Sequence, residues 1–318
     1  MKNEESIILP DFGDLHILVI GDVMIDRYIS GTVSRISPEA PVPVVNMKSV
    51  ENRLGGAANV ALNLHALGAQ VSLLSVIGQD EDGADLISKI EKTIGLHQHL
   101  VQLPSKITTV KTRIMAGNQH LLRIDQEDAQ DIINEDSEII YQRYLEIIKY
   151  GIDGIILQDY NKGLLVPELI HRIIKKANDE GIPTFVDPKE KNFFEFTSCT
   201  LFKPNKKEMS AAVATNDVKI GIAKIRQKMN HKISVVTLGG EGMYIQDDQN
   251  GEIYPTSQRI ISDVCGAGDT VISTLCVTYL KGLSLGQMAK IANRAGGLVC
   301  EKPGVVSVDL KDLQAELI

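Results

Sequence analysis

Short apolar runs rich in β-branched residues alternate along this chain with longer segments in which apolar residues recur every three to four positions. The alternation is typical of repeated β-α-β units, in which helices cover both faces of a parallel sheet. The predicted strands cover residues 17–20, 71–77, 154–157, 183–186 and 233–238. The predicted helices cover residues 57–67, 83–93, 135–150, 167–179 and 220–229. The expected fold class is therefore α/β, with a mostly parallel central sheet.

Two segments, residues 28–50 and 107–123, interrupt this alternation. The first contains three prolines and the second is rich in Thr, Val and Lys, so both are predicted to be extended and partly exposed. Because each lies inside the β-α-β series, we interpret them as one small accessory sheet. Such a sheet has unpaired edges and an apolar face, which a second subunit would cover in a homodimer. The apolar residues expected on it are Val42, Val44, Ile107, Val110 and Ile114.

Composition restricts the partners of the protein. The 318 residues are 43% hydrophobic, enough for a large core, and 33 Lys and Arg against 41 Asp and Glu give a net charge of −8. This acidic balance argues against nucleic acid as a partner. The four cysteines form no CxxC pair, which indicates neither a disulfide framework nor a zinc site. The opening over residues 1–6 is acidic, and we therefore expect a cytoplasmic protein. No apolar run of about 18 residues occurs, so no membrane span is expected.

Polar residues follow the predicted strands, and in α/β sheets this is the edge at which ligands bind. Asp22 and Asp26 follow the first strand, where they are candidates for binding sugar hydroxyls or are ordinary turn residues. Gly55, Gly56 and Asn59 open a helix at which a ligand can approach the backbone, although tight packing explains a glycine pair equally well.

Three later strand ends add further candidates. Asp159 and Lys162 place an acid and a base after one strand, and Asn205 with Glu208 lie three apart on a first helical turn. That spacing suits the water shell of Mg²⁺, but it also fits a helix-capping pair. A glycine turn follows the last predicted strand, which alone indicates a hairpin; its residues are Thr237, Gly239 and Gly240.

The sequence Gly266-Ala267-Gly268-Asp269 precedes an apolar run with helical spacing. Glycines let backbone N–H groups surround an oxyanion at a helix N-terminus, so this segment predicts an anion site. Asp269 is then either a first-turn residue of the helix or a general base beside a phosphoryl group. Cys265, directly before this site, is either a reactive thiolate or a buried and inert thiol.

Taken together, these motifs resemble the ribokinase-like (PfkB) carbohydrate kinases. The glycine pair with Asn59 is similar to the family's sugar-binding signature, residues 205–208 to its NxxE magnesium motif, and residues 266–269 to its GAGD catalytic motif. The resemblance spans essentially the whole chain. It implies a three-layer α/β/α sandwich with a small β-sheet lid, here a single domain over residues 1–318 with the lid segments inserted.

Within the family, the chain resembles the kinases of D-glycero-β-D-manno-heptose 7-phosphate. This finer resemblance implies ATP-dependent phosphorylation at the anomeric 1-hydroxyl in ADP-heptose synthesis for lipopolysaccharide. Leu54 departs from the pattern, which has proline there, and 318 residues leave no room for the nucleotidyltransferase domain of the bifunctional enzymes. The residues that carry the resemblance are 21–28, 35–44, 55–62, 118–119, 122–125, 159–160 and 162–163.

The resemblance also implies roles for individual residues. Asp269 would be the catalytic base, with the N–H groups of Gly266, Ala267 and Gly268 binding the transferred phosphoryl group. Asn205 and Glu208 would hold Mg²⁺ through water. Asp263 and Ser307 match positions at which some members hold a monovalent cation, so K⁺ is expected there. The expected sugar-binding residues are Asp22, Asp26, Gly55, Gly56, Asn59 and Asp159. The expected ligands of the 7-phosphate are Arg113, Arg123 and Lys162. The expected ATP-binding residues are Asn205, Thr237, Gly239, Gly240, Gly268, Asn293 and Gly296.

Three alternatives stay open at this point. A kinase of the same fold could act on ribose, fructose or fructose 1-phosphate. A sugar or nucleotide sensor without activity is disfavoured by the intact Asp269, Asn205 and Glu208. A dehydrogenase is disfavoured because the dinucleotide-binding glycine pattern is missing. The absence of P-loop, HExxH and GxSxG motifs disfavours P-loop enzymes, zinc hydrolases and serine esterases.

Overall fold

The large sheet of the protein is built as the alternation of apolar runs predicts. A computed structural model describes residues 6–93, 95–117 and 119–318; the opening residues 1–5 and Asn118, both used in the sequence analysis, lie outside the described residues. The helices and strands in chain order are β1 (His16–Gly21), β2 (Val23–Ile36), β3 (Pro43–Gly56), α1 (Ala57–Ala66), β4 (Gln70–Gly78), α2 (Glu81–Glu91), β5 (Leu96–Leu103), β6 (Val110–Ala116), β7 (Gln119–Gln126), α3 (Asn134–Ile147), β8 (Gly154–Gln158), α4 (Pro167–Asp179), β9 (Thr184–Asp187), β10 (Leu201–Phe202), α5 (Lys206–Val213), α6 (Val218–Met229), β11 (Ile233–Thr237), β12 (Met243–Gln246), β13 (Gly251–Tyr254), α7 (Ala267–Leu280), α8 (Leu285–Cys300) and α9 (Leu310–Ala315).

The nine-stranded sheet has the order β13-β12-β11-β10-β9-β8-β1-β4-β5. Its strands are parallel from β11 to β5, and at the other edge β12 pairs antiparallel with both β11 and β13. Side chains of a strand point alternately to the two faces of a sheet. In β1, Ile17 and Val19 accordingly pack in one buried core, while Leu18 and Ile20 pack in the other.

Helices cover both faces of this sheet. The core that contains Ile17 also holds residues of α1, α7 and α8, and the core that contains Leu18 holds residues of α3, α4 and α6. Helix α4 illustrates the pattern, because Pro167 starts it and its apolar stripe, which includes Ile170 and Ile174, is buried. The predicted three-layer α/β/α class is confirmed.

The two interrupting segments form a second, four-stranded sheet of order β3-β2-β6-β7. Strands β2 and β6 are parallel, and the two outer pairs are antiparallel. The strands are longer than predicted, because β2 starts one residue after β1 and β3 runs directly into α1. Val110 was expected on an exposed apolar face, and this expectation is wrong: the residue is 1% exposed because it lies where β6 joins the main core.

In the residues that the structure describes, none of the helices combines the length and the apolar composition that a bilayer crossing requires.

Candidate active site

Helix α7 begins beneath the loop that carries the glycine motif. Gly266, which precedes the helix, has φ +81°, and a Cβ atom there would lie 2.8 Å from Nδ2 of Asn59. Only glycine meets both conditions without strain. Of the three N–H groups expected to bind an anion, that of Ala267 donates to the carbonyl oxygen of Val264 at 3.3 Å. This turn fixes the direction in which α7 starts.

Asp269 lies in the first turn of α7 and is 4% exposed. Its Oδ2 accepts a hydrogen bond from Nδ2 of Asn59 at 2.7 Å, and its Oδ1 accepts one from the hydroxyl of Tyr160 at 2.7 Å. Nε2 of Gln158 donates a longer bond to the same Oδ1 at 3.4 Å. The structure thus joins Asn59 and Asp269, which lie far apart in the sequence.

Burial raises the pKa of Asp269 to about 6, although the hydrogen bonds from Asn59 and Tyr160 act in the opposite direction. Nearby Asp187 raises this pKa further, while Lys203 lowers it. A carboxylate with a pKa near 6 is ionised at neutral pH and still basic enough to accept a proton in catalysis. The chemistry of the site therefore favours a general base over a plain first-turn residue.

The ends of three neighbouring strands support this carboxylate from below. Gln158 ends β8, Asp187 ends β9, and Lys203 follows β10. Nζ of Lys203 lies 3.0 Å from Oδ2 of Asp187, which also accepts a bond from Nε2 of Gln158 at 3.2 Å. A Cβ atom on Gly268 would lie 3.8 Å from both the Lys203 ammonium and the Asp187 carboxylate. A buried cation thus lies next to the anion-binding loop.

Asp22 holds a loop in place and does not face open space. Its carboxylate is 3% exposed and accepts backbone N–H bonds from Tyr160 at 2.9 Å, Lys162 at 3.1 Å and Leu164 at 3.3 Å. These bonds match the turn-stabilising alternative for Asp22. Burial raises the pKa of Asp22 despite these bonds.

Asp159 is also buried, at 1% exposure, and accepts the backbone N–H of Asn161 at 2.7 Å. Burial raises its pKa to about 7, and the neighbouring Asp22 carboxylate raises it further. The side chain lies inside the loop, so its proposed contact with a sugar has no support in the geometry.

The smaller sheet contributes one charged face to the site. Asp26, 4% exposed, forms an ion pair with Arg113, whose guanidinium lies 3.8 Å from the sulfur of Cys265. The ring of Tyr28 lies between Arg113 and Arg53, with its centroid 5.3 and 4.9 Å from the two guanidinium carbons. Arg113 therefore extends from β6 to the loop that precedes α7.

Close approach of backbone and carboxylate explains Gly55. A Cβ atom at this position would lie 2.1 Å from Oδ2 of Asp26, and one at Gly56 would lie 2.4 Å from the carbonyl oxygen of Asp22. Both glycines are thus required by packing between β2 and the start of α1. This agrees with tight packing, the alternative that the sequence analysis gives for the glycine pair.

The other expected phosphate ligands form a cluster near the end of β7. Nζ of Lys162 lies 2.8 Å from Oε2 of Glu127, which also pairs with Lys111 at 3.0 Å. Arg123 is the cross-strand neighbour of Arg113 but is more exposed and pairs with Asp125 at 2.9 Å. The expected cations therefore do not form one group: Arg113 lies at the Cys265 loop, while Lys162 and Arg123 pair with the carboxylates that follow or end β7.

Asn205 and Glu208 form a reciprocal capping box at the start of α5. Oδ1 of Asn205 accepts the N–H of Glu208 at 2.8 Å, and Oε2 of Glu208 accepts the N–H of Asn205 at 2.8 Å. Oε1 of Glu208 pairs with Lys189, whose ammonium lies 5.5 Å from the ring centroid of Tyr160. Among the described residues no three His, Cys, Asp or Glu side chains are grouped so as to hold a metal directly.

The expected ATP-binding residues lie around the end of β11 and on α8. A Cβ atom on Gly239 or Gly240 would meet no described atom within 4 Å, so open space borders this turn. Nδ2 of Asn293 donates to the carbonyl oxygen of Tyr254 at 2.8 Å and borders a cavity of about 150 Å³. A Cβ atom on Gly296 would lie 2.9 Å from Val271, so close packing of α8 on α7 requires this glycine, and its expected contact with ATP stays a prediction.

Asp263 fixes the loop before α7. Its Oδ1 accepts the N–H of Cys265 at 3.0 Å and its Oδ2 accepts that of Gly304 at 3.1 Å, so it joins two loops, and Ser307 is partly buried three residues further on. Burial and the hydrogen bond to Asp263 raise the pKa of the Cys265 thiol to about 11. A raised pKa keeps the thiol protonated at neutral pH, which favours the inert alternative for Cys265.

Sequence reasoning missed five residues that the structure places around Asp269 and Glu208. The signal that could have found them is a polar residue at the end of each of several adjacent strands, since these strand ends lie side by side in the sheet. The missed residues are Gln158, Tyr160, Asp187, Lys189 and Lys203.

The parallel sheet, the buried carboxylate at a glycine-started helix and the charged second sheet agree with the sugar-kinase fold that the sequence resemblance implies. The chain belongs to the pfkB family of carbohydrate kinases, whose match covers residues 14–312. It is therefore a carbohydrate kinase, a class that uses ATP and Mg²⁺.

Two relatives are more specific. The chain is 40% identical over 306 residues to the bifunctional protein HldE of Methylobacillus flagellatus, covering 95% of this chain and 63% of that protein. It is 39% identical over 311 residues to the bifunctional protein HldE of Caulobacter vibrioides, covering 96% and 64%. The chain thus spans less than two thirds of the length of these relatives.

Solved structures confirm the fold. Phosphofructokinase-2 from Escherichia coli in complex with potassium superposes with a TM-score of 0.79 at 21% identity, covering 95% of this chain and 98% of that one. Ribokinase from Arabidopsis thaliana complexed with ribose and ATP superposes with a TM-score of 0.73 at 17% identity, again covering 95% and 98%.

Proposed function

We propose that this kinase transfers the γ-phosphoryl group of ATP to the anomeric hydroxyl of D-glycero-β-D-manno-heptose 7-phosphate. The observation that carries the chemistry is the buried Asp269 carboxylate with its pKa near 6 at the start of α7. The choice of sugar rests on the sequence resemblance and on the identity with the two bifunctional relatives.

In this mechanism Asp269 takes the proton of the sugar hydroxyl as its oxygen attacks the γ-phosphorus. The new O–P bond forms while the bond to the β,γ-bridging oxygen breaks, and ADP leaves. The backbone N–H groups of Gly266 and Gly268 and the nearby Lys203 would stabilise the negative charge on the transferred group, since the N–H of Ala267 already donates to Val264. Positioning and charge stabilisation supply most of the rate enhancement in such a transfer.

The nucleotide would lie along Thr237, the open turn at Gly239 and Gly240, and the cavity beside Asn293. Asn205 and Glu208 fit Mg²⁺ bound through its water, because each of their carbonyl or carboxylate oxygens has a second acceptor position besides its protein bond. When bound, Mg²⁺ neutralises phosphate charge. A K⁺ site near Asp263 and Ser307 is part of the proposal, and replacing K⁺ by choline in the assay tests it.

The phosphate of the sugar would bind to the cations that now pair with carboxylates near β7. Lys162 and Lys111 share Glu127, and Arg123 pairs with Asp125, so a phosphate dianion would compete with acids already held by these cations. Charge-assisted bonds contribute about 1.5 to 3 kcal/mol each. The phosphorylated sugar should accordingly be the much better substrate.

The decisive experiment supplies ATP with free and phosphorylated heptose, ribose, fructose and fructose 1-phosphate, and measures ADP release and product mass. We expect kcat/KM for heptose 7-phosphate to exceed that for free heptose at least about tenfold. Lys162→Met should reduce this preference, whereas Lys175→Met, which removes an exposed lysine paired with Asp179, should not. Equal values for the two heptoses would contradict the phosphate site, and absence of ADP release with every sugar would favour the sensor.

We also propose that a second copy of the chain covers the outer face of the smaller sheet. The register places Val50, Ile29, Ile114 and Leu122 in one row across its four strands. Val50 and Leu122 are 51% and 55% exposed, although apolar side chains in a contiguous row usually pack against a partner. Leu122→Asp should give a monomer in sedimentation at micromolar concentration, and Ile139→Asp on α3, also an exposed apolar position, should not. A monomeric parent protein would contradict the proposal.

A further inference from the structure

The acceptor positions of Asp269 are almost fully used by the protein itself. A carboxylate can accept about four hydrogen bonds. Among the residues that the structure describes, Asn59, Tyr160 and Gln158 donate to it, the first two at 2.7 Å and the third at 3.4 Å. About one acceptor position is therefore left for the hydroxyl of a substrate, and its direction is set by the other three bonds.

Tyr160, one of these three donors, is held by several contacts of its own. Its backbone N–H is held by Asp22 at 2.9 Å, and the same carboxylate holds the next turn of the loop through Lys162 and Leu164. The ammonium of Lys189 lies 5.5 Å from its ring centroid and pairs with Glu208. The phenol is thus fixed at its backbone end, at its ring and at its hydroxyl. A side chain held at three points is suited to orient its partner.

We propose that Tyr160 is a positioning residue for the proposed base: its hydroxyl orients Asp269 so that the remaining acceptor position faces the reacting sugar hydroxyl, and Asp22 holds Tyr160 in place. This inference rests on the proposed function for the role of Asp269, and on the geometry alone for the coupling between the two side chains. It gives the buried Asp22 a purpose other than sugar binding.

The charged groups around Asp269 do not replace the phenol. Asp187 at the end of β9 raises the pKa of Asp269, and Lys203 after β10 lowers it; these two groups pair with each other at 3.0 Å. Lys189 faces the same region but pairs with Glu208. The hydrogen bond from Tyr160 lowers the pKa of Asp269, so its loss should raise this pKa with no compensating change nearby.

The test is Tyr160→Phe, which removes only the hydroxyl. We would titrate Asp269 by carboxyl ¹³C NMR in the substrate-free protein, using Asp269→Asn to assign its resonance. The pKa of Asp269 should rise by about one pH unit in Tyr160→Phe. Tyr144→Phe is the matched control, because it removes a buried hydroxyl that bonds to the carbonyl oxygen of Ile173 at 3.3 Å in the other core; it should leave the titration unchanged. An unchanged pKa in Tyr160→Phe would overturn the proposal.

Kinetics with the sugar phosphate give the second readout. In Tyr160→Phe we expect kcat to fall about tenfold with little change in KM, and the acid limb of the pH profile to move upward with the pKa of the base. Asp22→Asn should shift the limb in the same direction. A fall confined to KM would contradict the positioning role. If no sugar is phosphorylated by the parent protein, the proposed function fails, while the NMR titration still decides whether Tyr160 controls Asp269.

Discussion

Asp26 and Asp269 are both 4% exposed, yet the protein surrounds them in opposite ways. Asp26, on the smaller sheet, is paired with the fixed cation of Arg113. Asp269, on the large domain, receives hydrogen bonds from the neutral side chains of Asn59, Tyr160 and Gln158. An adjacent full positive charge stabilises the ionised form of a carboxylate in an ion pair. Neutral donors orient a carboxylate and leave it able to accept a proton. At equal burial, Asp26 is therefore held by a cation, whereas Asp269 is held by neutral donors while burial raises its pKa.

The strongest test of this comparison removes the basicity of Asp269. Asp269→Asn keeps the shape of the side chain and should leave folding and ATP binding intact, while kcat falls by about 10² to 10⁴-fold. Steady-state kinetics and ATP titration measure the two effects. Asp217→Asn is the control, because asparagine caps α6 as well as aspartate does. Activity near that of the parent protein would remove Asp269 from the role of base.

The ion pair on the other side should behave as a stability element. Arg113→Met leaves the buried Asp26 without its cation and should lower the free energy of unfolding by about 3 kcal/mol or more. Adding Asp26→Asn should restore much of that loss, because the uncompensated charge is then gone. Chemical denaturation of the two single variants and the double variant measures the coupling. Additive losses would show that the pair acts through packing against Tyr28 and not through charge.

The pH dependence of the reaction distinguishes the two carboxylates further. Because Asp269 must be ionised to accept a proton and burial raises its pKa to about 6, kcat/KM should fall as the pH drops below 6, by about tenfold per unit. The rate should be nearly constant between pH 7 and 8. A profile of kcat/KM against pH, measured with saturating ATP, gives the position of this acid limb. A limb near pH 4 would show that the neutral donors do not leave Asp269 as basic as proposed.

The smallest effect is expected at Cys265, which lies between the two carboxylates and 3.8 Å from Arg113. Its pKa, raised to about 11, keeps it a thiol at neutral pH, so iodoacetamide should react slowly. Cys265→Ser should keep activity within about twofold, since the sulfur has no part in the proposed chemistry. Mass spectrometry after alkylation locates any adduct. Rapid labelling of Cys265 with loss of activity would contradict the assignment.

Sequence patterns were sufficient for the layers and for the position of Asp269 at the start of a helix, but not for the contacts between distant strand ends. Helices such as α4 and strands such as β1 follow from periodicity, because each buries one side or both. Strand β5 was missed because four of its eight residues are His or Gln, which leaves no apolar run longer than two, and β10 was given no bounds because it has only two residues. Asp22 was assigned to sugar, since no local signal shows that three N–H groups of a loop some 140 residues away would bind it.

Strand β2 leaves the large sheet after a single residue, Asp22, and then runs for 14 residues. At about 3.3 Å per residue it extends roughly 45 Å from Asp22. A rotation of the strand by about 10° about Asp22 would move its far end by about 8 Å but Asp26, four residues along, by only about 2 Å. If the strand turned as one body about Asp22, a large displacement of its far end would therefore accompany only a small one at Asp26, which pairs with Arg113 beside the loop that precedes α7.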